Sequence, residues 1–228
     1  MQLRTRFPSR STSQNRSPIV GKTVNRVDPR RYASFAFVVF AGATILSILL
    51  PAKVDAVQTD SGVWWACVLG AGFDAAVNDR ANRMSWPRGR RRYDLAVVAE
   101  LGSYRPLPFV LHLDGERVEA DAMLVALGNA PSYGGGMKVC PGAVMDDGLL
   151  EVVIVGPMSR TTFLRLFPRV FTGRHVTHPS VQVRRAASVS LQAPSANAYA
   201  DGEPLGALPI TSTVHPGALR VVGARPGA

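Results

Sequence analysis

Cysteine and histidine are scarce in this sequence, and their placement excludes several functions. Cys67 and Cys140 lie in separate apolar runs without the CxxC spacing of a redox or zinc motif. They are typical of buried thiols in a reducing compartment, and not of a disulfide framework. Of the four histidines only His175 and His178 lie close together, and no nearby residue completes a zinc site. We expect no metal role for histidine.

Several well-known motifs are also missing. The sequence contains no GxSxG, no HExxH and no complete phosphate-binding glycine motif, so serine hydrolases, zinc proteases and P-loop enzymes have no support. Aromatic residues make up 7% of the chain and do not alternate with basic ones. A sheet that stacks bases needs that alternation, so we do not expect a nucleic-acid partner.

Positive charge is unevenly distributed along the chain. Residues 1–56 carry nine Lys/Arg against two aspartates, whereas residues 57–228 carry 17 against 14 acidic residues. The first 32 residues are rich in Ser, Arg, Asn and Gln without periodicity, which predicts a disordered basic leader over 1–32. The rest of the chain is therefore only mildly basic.

An apolar run of eighteen residues, 33–50, follows this leader. It predicts a helix over 33–52 that reaches the lower limit for crossing a membrane. A signal anchor, an exported leader and an unnatural upstream extension remain open interpretations. Basic residues before the run would keep the N-terminus inside. The sequence thus leaves open a cytoplasmic or a membrane-associated protein with a transmembrane segment over 33–50.

The composition of 53–228 predicts one mainly β domain with helical inserts (α+β), a β-sandwich, because short strands are separated by turns about every ten residues. A hairpin is expected around Asp114-Gly115, with one strand running over 117–127. Two helices are expected within 75–101, separated by a break at Trp86-Pro87. A further helix is expected after an N-cap at Ser159. Further strands are expected over 149–155, 181–183, 188–192, 198–200, 210–214 and 219–222.

Acidic residues occur in tight turns at two places. Asp201-Gly202-Glu203 could hold a cation with one carboxylate while the other accepts a proton. Asp114-Gly115-Glu116 is the same tripeptide, so the tripeptide alone favours a plain hairpin turn.

The paired aspartates of Asp146-Asp147-Gly148 are less common. One carboxylate can cap the turn amides. Alternatively, Asp147 with the carbonyls of Val144 and Leu149 would suit Mg²⁺ or Ca²⁺, which prefer oxygen ligands.

Two further segments carry candidate binding residues. Asp74 follows the turn Gly70-Ala71-Gly72 and could face a cleft. Arginines surround Trp86, which suits lipid headgroups at a membrane surface, or else forms a solvated helical face. These arginines are Arg80, Arg83, Arg88, Arg90, Arg91 and Arg92.

Four segments in combination resemble the diacylglycerol kinase and bacterial lipid kinase family, of the actinobacterial type. They are LGAGFDAAVNDRAN (69–82), LGNAPSYGGGMKVCPGAVMDDGLLEVVIVG (127–156), VFTGRHVTHP (170–179) and YADGEPLG (199–206). The resemblance spans about residues 53–222. It implies the C-terminal β-sandwich of a two-domain enzyme whose N-terminal domain carries a GGDGT nucleotide loop.

The resemblance also implies the chemistry. ATP-dependent phosphorylation of diacylglycerol or a related lipid would use Glu203 or Asp201 as proton acceptor. Mg²⁺ would bind Asp147 and the backbone of Val144 and Leu149. Positioned groups and cations are what phosphoryl transfer needs.

No GGDGT occurs in this sequence. We therefore expect a truncated lipid kinase, inactive alone, in which 219–222 would lack the sheet partner that the nucleotide-binding domain supplies. The alternative is a non-catalytic, membrane-anchored lipid-binding module. The sequence also leaves a homodimer open.

Overall fold

The computed structural model describes residues 51–87 and 90–222, without the side chains of Pro51 and Arg90. The leader predicted over 1–32 and the apolar run 33–50 lie outside the described residues. Within them the chain folds into two antiparallel six-stranded sheets. This arrangement confirms the predicted β-sandwich with helical inserts.

The first sheet has the strand order β2-β1-β12-β9-β4-β5. Its strands are β1 (Pro51–Thr59), β2 (Trp64–Trp65), β4 (Leu107–Leu113), β5 (Glu116–Ala122), β9 (Ser188–Gln192) and β12 (Ile210–Val222). The last strand is long and continuous, and it pairs with β1 from Pro51↔Val222 to Thr59↔Ser212 around an irregularity between Val54 and Ala56. The expectation that 219–222 lacks a sheet partner is therefore wrong. Residues 51–54, two of which fall inside the helix predicted over 33–52, supply that partner.

The second sheet has the order β11-β10-β3-β6-β7-β8. Its strands are β3 (Val68–Gly72), β6 (Leu124–Gly128), β7 (Leu150–Val155), β8 (Val181–Ala186), β10 (Asn197–Ala200) and β11 (Glu203–Ala207). Strands β3 and β7 are buried along their whole length. Both of their faces are covered, which explains why their sequences show no polar alternation.

The main core lies between the two sheets. Phe109, Leu111 and Leu191 of the first sheet pack with Leu127 and Ile154 of the second, and all five side chains are at most 1% exposed. Burying an aliphatic or aromatic side chain contributes about 1.5–3 kcal/mol relative to leaving it in water. A second apolar cluster covers the outer face of the second sheet, and it includes Val68, Ala126, Val153, Leu166 and Val170.

The run 117–127 forms two strands in different sheets, and not the single strand that the sequence predicts. Strand β5 stays in the first sheet beside β4, whereas β6 pairs with β3 and β7 in the second. The chain crosses between the sheets at Met123, whose amide and carbonyl bond Val155 and Phe73. Polar residues alternate with apolar ones as far as Ala122 and are absent from β6, so the end of the alternation coincides with the crossing.

Helices cover the edges of the sandwich. Helices α1 (Phe73–Arg83) and α2 (Arg90–Ser103) flank the break expected at Trp86-Pro87. Helix α3 (Arg160–Leu166) begins at the Ser159 cap, whose hydroxyl accepts the Thr162 amide at 3.1 Å. Two 3₁₀ helices follow, Phe167–Thr172 and Arg174–Thr177.

Candidate functional site

Both acidic turns lie at the same end of the second sheet. Strand β10 ends in the turn at Asp201, and β7 begins directly after the turn at Asp147. The register places Ala200 opposite Leu69 and Gly128 opposite Glu151, so the ends of these strands align. Strands β3 and β6 lie between β10 and β7. Three strand spacings of about 4.8 Å separate the two turns by roughly 14 Å.

Asp201 is the corner of a two-residue hairpin. It and Gly202 have φ values of 51° and 87°, as a type I′ turn requires. The Asp201 carboxylate accepts the backbone N–H groups of Ala66, Cys67 and Val68 at 2.7, 2.9 and 3.0 Å. Burial raises the pKa of this carboxyl, while the three donors act in the opposite direction. Asp201 therefore joins the hairpin to the start of β3.

The second copy of the tripeptide has the same architecture. Asp114 and Gly115 also have positive φ values, and the Asp114 carboxylate accepts the amides of Ala187 and Ser188. The hairpin interpretation of both tripeptides is thus confirmed, and in each the aspartate fixes a neighbouring segment.

Glu203 differs from Asp201 because its side chain is exposed at the start of β11. Its carboxylate makes no hydrogen bond or ion pair within residues 51–87 and 90–222. Of the two predicted proton acceptors, Glu203 is the one whose oxygens are available to a substrate. The proton-acceptor role of either residue stays a prediction.

Asp147 caps its own turn. One oxygen accepts the Leu149 amide at 3.0 Å, and the other pairs with Arg185 of β8. The capping interpretation of this turn therefore holds. Carboxylate and carbonyl oxygens are also the donors that Mg²⁺ prefers, and an ion at Asp147 would compete with the Arg185 guanidinium for the carboxylate. Among the described residues no group of three or more His, Cys, Asp and Glu side chains could hold a metal by themselves. A site here would depend on the carbonyls of Val144 and Leu149, and it stays a prediction.

Two buried residues that sequence reasoning missed connect the acidic turns. Asp55 is 1% exposed, and its carboxylate accepts the amides of Gly148 and Gly217, each at 2.7 Å. Asn129 is fully buried, and its side-chain amide donates to the carbonyls of Asp55 and Ala66 at 3.0 and 2.8 Å.

A continuous hydrogen-bonded chain thus runs between the two turns through these residues. It leads from Asp201 through the segment 66–68 to Asn129, then to Asp55 and the turn at Gly148. The one sequence signal for Asp55 is that it is the only carboxylate in the strand segment KVDAVQT.

Asp74 is half-buried and hydrogen-bonded to a tyrosine, and its place in a cleft stays a prediction. The Tyr133 hydroxyl donates to Asp74 at 2.5 Å, and burial raises the pKa of both groups. A Cβ at Gly70 would lie 2.3 Å from the Asp74 carboxylate. Glycine at this position lets the carboxylate lie against β3.

The triple glycine forms a solvent-facing turn. Gly134, Gly135 and Gly136 all have positive φ, and Tyr133 and Met137 form a bridge across them. A Cβ at Gly135 or Gly136 would meet no atom within 4 Å. These glycines are therefore needed for backbone conformation, and not for close packing.

The arginine group around Trp86 is only partly free. Arg80 pairs with Glu100 at 2.5 Å, and Arg92 lies 5.6 Å from the Tyr93 ring centroid. Arg83 and Arg91 are exposed, and Trp86 is 79% exposed. The side chains of Arg88 and Arg90 lie outside the described residues. Among the helices that the structure describes, none is long and apolar enough to cross a membrane.

Comparison with known proteins identifies one family. The YegS C-terminal NAD kinase beta sandwich-like domain matches residues 67–223. The diacylglycerol kinase of Mycobacterium tuberculosis (strain H37Rv) is 48% identical over 174 residues, which cover 75% of this chain and 56% of that protein. A YegS-like lipid kinase of Stenotrophomonas maltophilia is 32% identical over 122 residues, which cover 53% of this chain and 38% of that protein. The chain spans about half the length of the curated relatives it matches.

Solved structures share the fold. A diacylglycerol kinase structure from Bacillus anthracis str. Sterne superposes with a TM-score of 0.58 at 19% identity, over 75% of this chain and 56% of that one. At this identity the likeness concerns the fold alone. The family model and the sequence relatives make the assignment: the chain belongs to the diacylglycerol kinase and YegS-like lipid kinase family, and residues 67–223 match its C-terminal β-sandwich domain.

Proposed function

We propose that this domain supplies the acceptor side of a lipid kinase active site, at the end of the second sheet where the two acidic turns lie. The reaction is the ATP-dependent phosphorylation of diacylglycerol to phosphatidate. The observation that carries the proposal is one hairpin that holds an exposed Glu203 and a half-buried Asp201, whose carboxylate accepts three backbone amides.

In this proposal the two hairpin residues have separate roles. Glu203 accepts the proton of the lipid hydroxyl as its oxygen attacks the γ-phosphate. Asp201 is a positioning residue, because its bonds to the amides at 66–68 fix the direction in which the hairpin presents Glu203. Because the hairpin is already fixed, less entropy is lost when the lipid hydroxyl and the Glu203 carboxylate are aligned.

The turn at Asp147 would hold Mg²⁺ through its carboxylate and the carbonyls of Val144 and Leu149. Bound there, the ion would neutralise part of the negative charge at this end of the sheet. Arg185, which pairs with Asp147, would have to leave at least one carboxylate oxygen to the ion. The buried pair Asp55 and Asn129 keeps this turn in a fixed position relative to the start of β3.

The nucleotide needs a second domain, since no GGDGT loop occurs in the sequence. We therefore expect residues 1–228 alone to transfer no phosphate. A chimera supplies what is needed: the segment of the M. tuberculosis diacylglycerol kinase that precedes its matched region, joined to residues 53–228 of this chain.

The test is phosphate transfer from labelled ATP to diacylglycerol by this chimera. Glu203→Gln should lower kcat at least about 100-fold, the lower end of what general base catalysis contributes. Glu116→Gln is the matched control, because it changes the same position of the other Asp-Gly-Glu hairpin. Equal activity of the two variants would remove Glu203 from the mechanism.

A second candidate function is a non-catalytic lipid-binding module that docks through the surface around Trp86. The high exposure of Trp86, together with Leu95 and Val98 at 47% and 65% on α2, favours it. Two results together would support this alternative. The chimera would transfer no phosphate, and Trp86→Ala would weaken the binding of the domain to vesicles.

A further inference from the structure

The segment that packs over the outer face of the second sheet carries only positive charge. From residue 152 to residue 200 the sequence contains no Asp or Glu and six arginines. They are Arg160, Arg165, Arg169, Arg174, Arg184 and Arg185. Only Arg185 has a carboxylate partner among the described residues, namely Asp147.

Two of these arginines line one depression. Arg169 and Arg174 surround it with Pro168, Thr172 and Thr177, and it has a volume of about 410 Å³. Gly173, at φ 73°, links the two 3₁₀ helices, the first of which carries Arg169 and the second Arg174. Within residues 51–87 and 90–222, neither arginine has a carboxylate within 4.0 Å. We refer to these five residues as the basic depression.

Hydrogen bonds fix the backbone of the residues that line the basic depression. The hydroxyls of Thr172 and Thr177 donate to the carbonyls of Arg169 and Arg174 at 3.0 and 2.9 Å. The amide of Lys138 donates to the Val170 carbonyl, and buried His175 contacts the Val139 carbonyl through Nε2 at 3.0 Å. The arginine backbones are therefore fixed before any ligand arrives, which lowers the cost of binding.

An apolar ridge adjoins the basic depression. Phe163, Phe167 and Phe171 form a ladder with ring centroids 6.4 Å apart, running from a buried to a partly exposed ring. Phe171 is 39% exposed and Leu164 is 50% exposed. Exposed apolar side chains beside unpaired arginines are typical of surfaces that lie at a lipid interface.

We propose that the basic depression binds the phosphate of an anionic membrane lipid and that the adjoining ridge docks the domain on the bilayer. Arginine binds phosphate oxygens with two parallel N–H donors. The surface around Trp86 suits this role less well, because Asp94 and Glu100 lie on α2 and Glu100 already pairs with Arg80. The proposal is independent of phosphate transfer, because docking requires no nucleotide.

The test is hydrogen–deuterium exchange of the full 228-residue chain, read by mass spectrometry with and without vesicles and without nucleotide. A segment-resolved readout is needed because residues 1–50 could bring every variant to the membrane. Phosphatidylcholine vesicles containing phosphatidylglycerol should slow exchange over 160–178, and pure phosphatidylcholine vesicles should not. The double variant Arg169→Gln/Arg174→Gln should lose this slowing.

The control is Arg105→Gln/Arg220→Gln, which removes two exposed arginines outside 160–178 and should keep the slowing. Exchange of both variants without vesicles should match the unchanged protein, which shows that they fold. The proposal is overturned if exchange over 160–178 is unchanged by anionic vesicles, if neutral vesicles slow it equally, or if the depression variant keeps the slowing. Slowing by inorganic phosphate but not by vesicles would also overturn it and would identify a site for free phosphate.

Discussion

Asp201 and Asp114 show how the same residue in the same turn can lie in two different settings. Each carboxylate accepts backbone amides of a segment far away in the sequence. The hairpin at Asp201 joins β10 and β11 of the second sheet, whereas the hairpin at Asp114 joins β4 and β5 of the first sheet. The functional difference therefore comes from the position of each hairpin in the fold, and the tripeptide does not contain that information.

Asp74 allows a prediction at the residue scale about pH. Burial raises the pKa of its carboxyl in the folded protein above the ordinary value of about 3.9. Its contribution to stability is therefore present below about pH 4 and is lost as the pH rises through the folded pKa. Asp74→Asn keeps an acceptor for the Tyr133 hydroxyl but removes the titration.

The measurement is the free energy of unfolding in denaturant at several pH values from 4 upwards. As the pH rises, we expect the free energy of unfolding of Asp74→Asn to increase relative to that of the unchanged protein. The matched control is Asp94→Asn, which changes an exposed aspartate that makes no side-chain hydrogen bond among the described residues. A curve for Asp74→Asn parallel to that of the unchanged protein would contradict the raised pKa of the Asp74 carboxyl.

The turns at the end of the second sheet are the element that carries the proposed site, and a metal prediction belongs here. Mg²⁺ should stabilise the chain by binding the folded turn at Asp147, with about 2.7 kcal/mol expected at one hundred times Kd. For a chain of this size each kcal/mol raises Tm by about 2–4 °C.

Asp147→Asn should abolish the rise in Tm on adding Mg²⁺. Asp146→Asn is the matched control, because the neighbouring carboxylate is exposed and makes no side-chain hydrogen bond among the described residues. An equal Mg²⁺ response in both variants would place the ion elsewhere.

Asn129 gives a second prediction at the scale of elements, because it joins β1 to the segment before β3. Asn129→Ala would leave the buried carbonyls of Asp55 and Ala66 without donors, at a cost of about 2–4 kcal/mol. Asn197→Ala removes an exposed amide that donates to Asp79 and should cost less than about 1 kcal/mol. Denaturant unfolding measures both values. If the free energy of unfolding falls by a similarly small amount in both variants, the hydrogen-bonded chain between the acidic turns adds little stability.

Elements whose signals are local were predicted well from the sequence. The two Asp-Gly hairpins, the Ser159 cap and the break at Trp86-Pro87 each depend on a few neighbouring residues. Strand β1 and the crossing at Met123 were missed. Their positions depend on partners far along the chain, β12 and Val155. Asp55 and Asn129 were missed for the same reason, since a buried polar residue can be recognised only when its partners are known.

At the scale of the whole molecule, the fold brings both acidic turns to one end of one sheet. The sequence separates them by more than fifty residues, and the family resemblance predicted their roles without their spatial relation. Antiparallel pairing supplies that relation, because β10, β3, β6 and β7 are consecutive neighbours. The opposite end of the same strands, where β3 ends at Gly72, carries neither turn.

The most direct test of the account is therefore the position of the nucleotide. A crystal structure of the chimera with a non-hydrolysable ATP analogue would locate the γ-phosphate relative to the two ends of the second sheet. We predict that it lies at the end that carries Glu203 and Asp147, on the side to which the Glu203 carboxylate points. A γ-phosphate at the opposite end, beside Gly72 and the start of α1, would contradict the proposal.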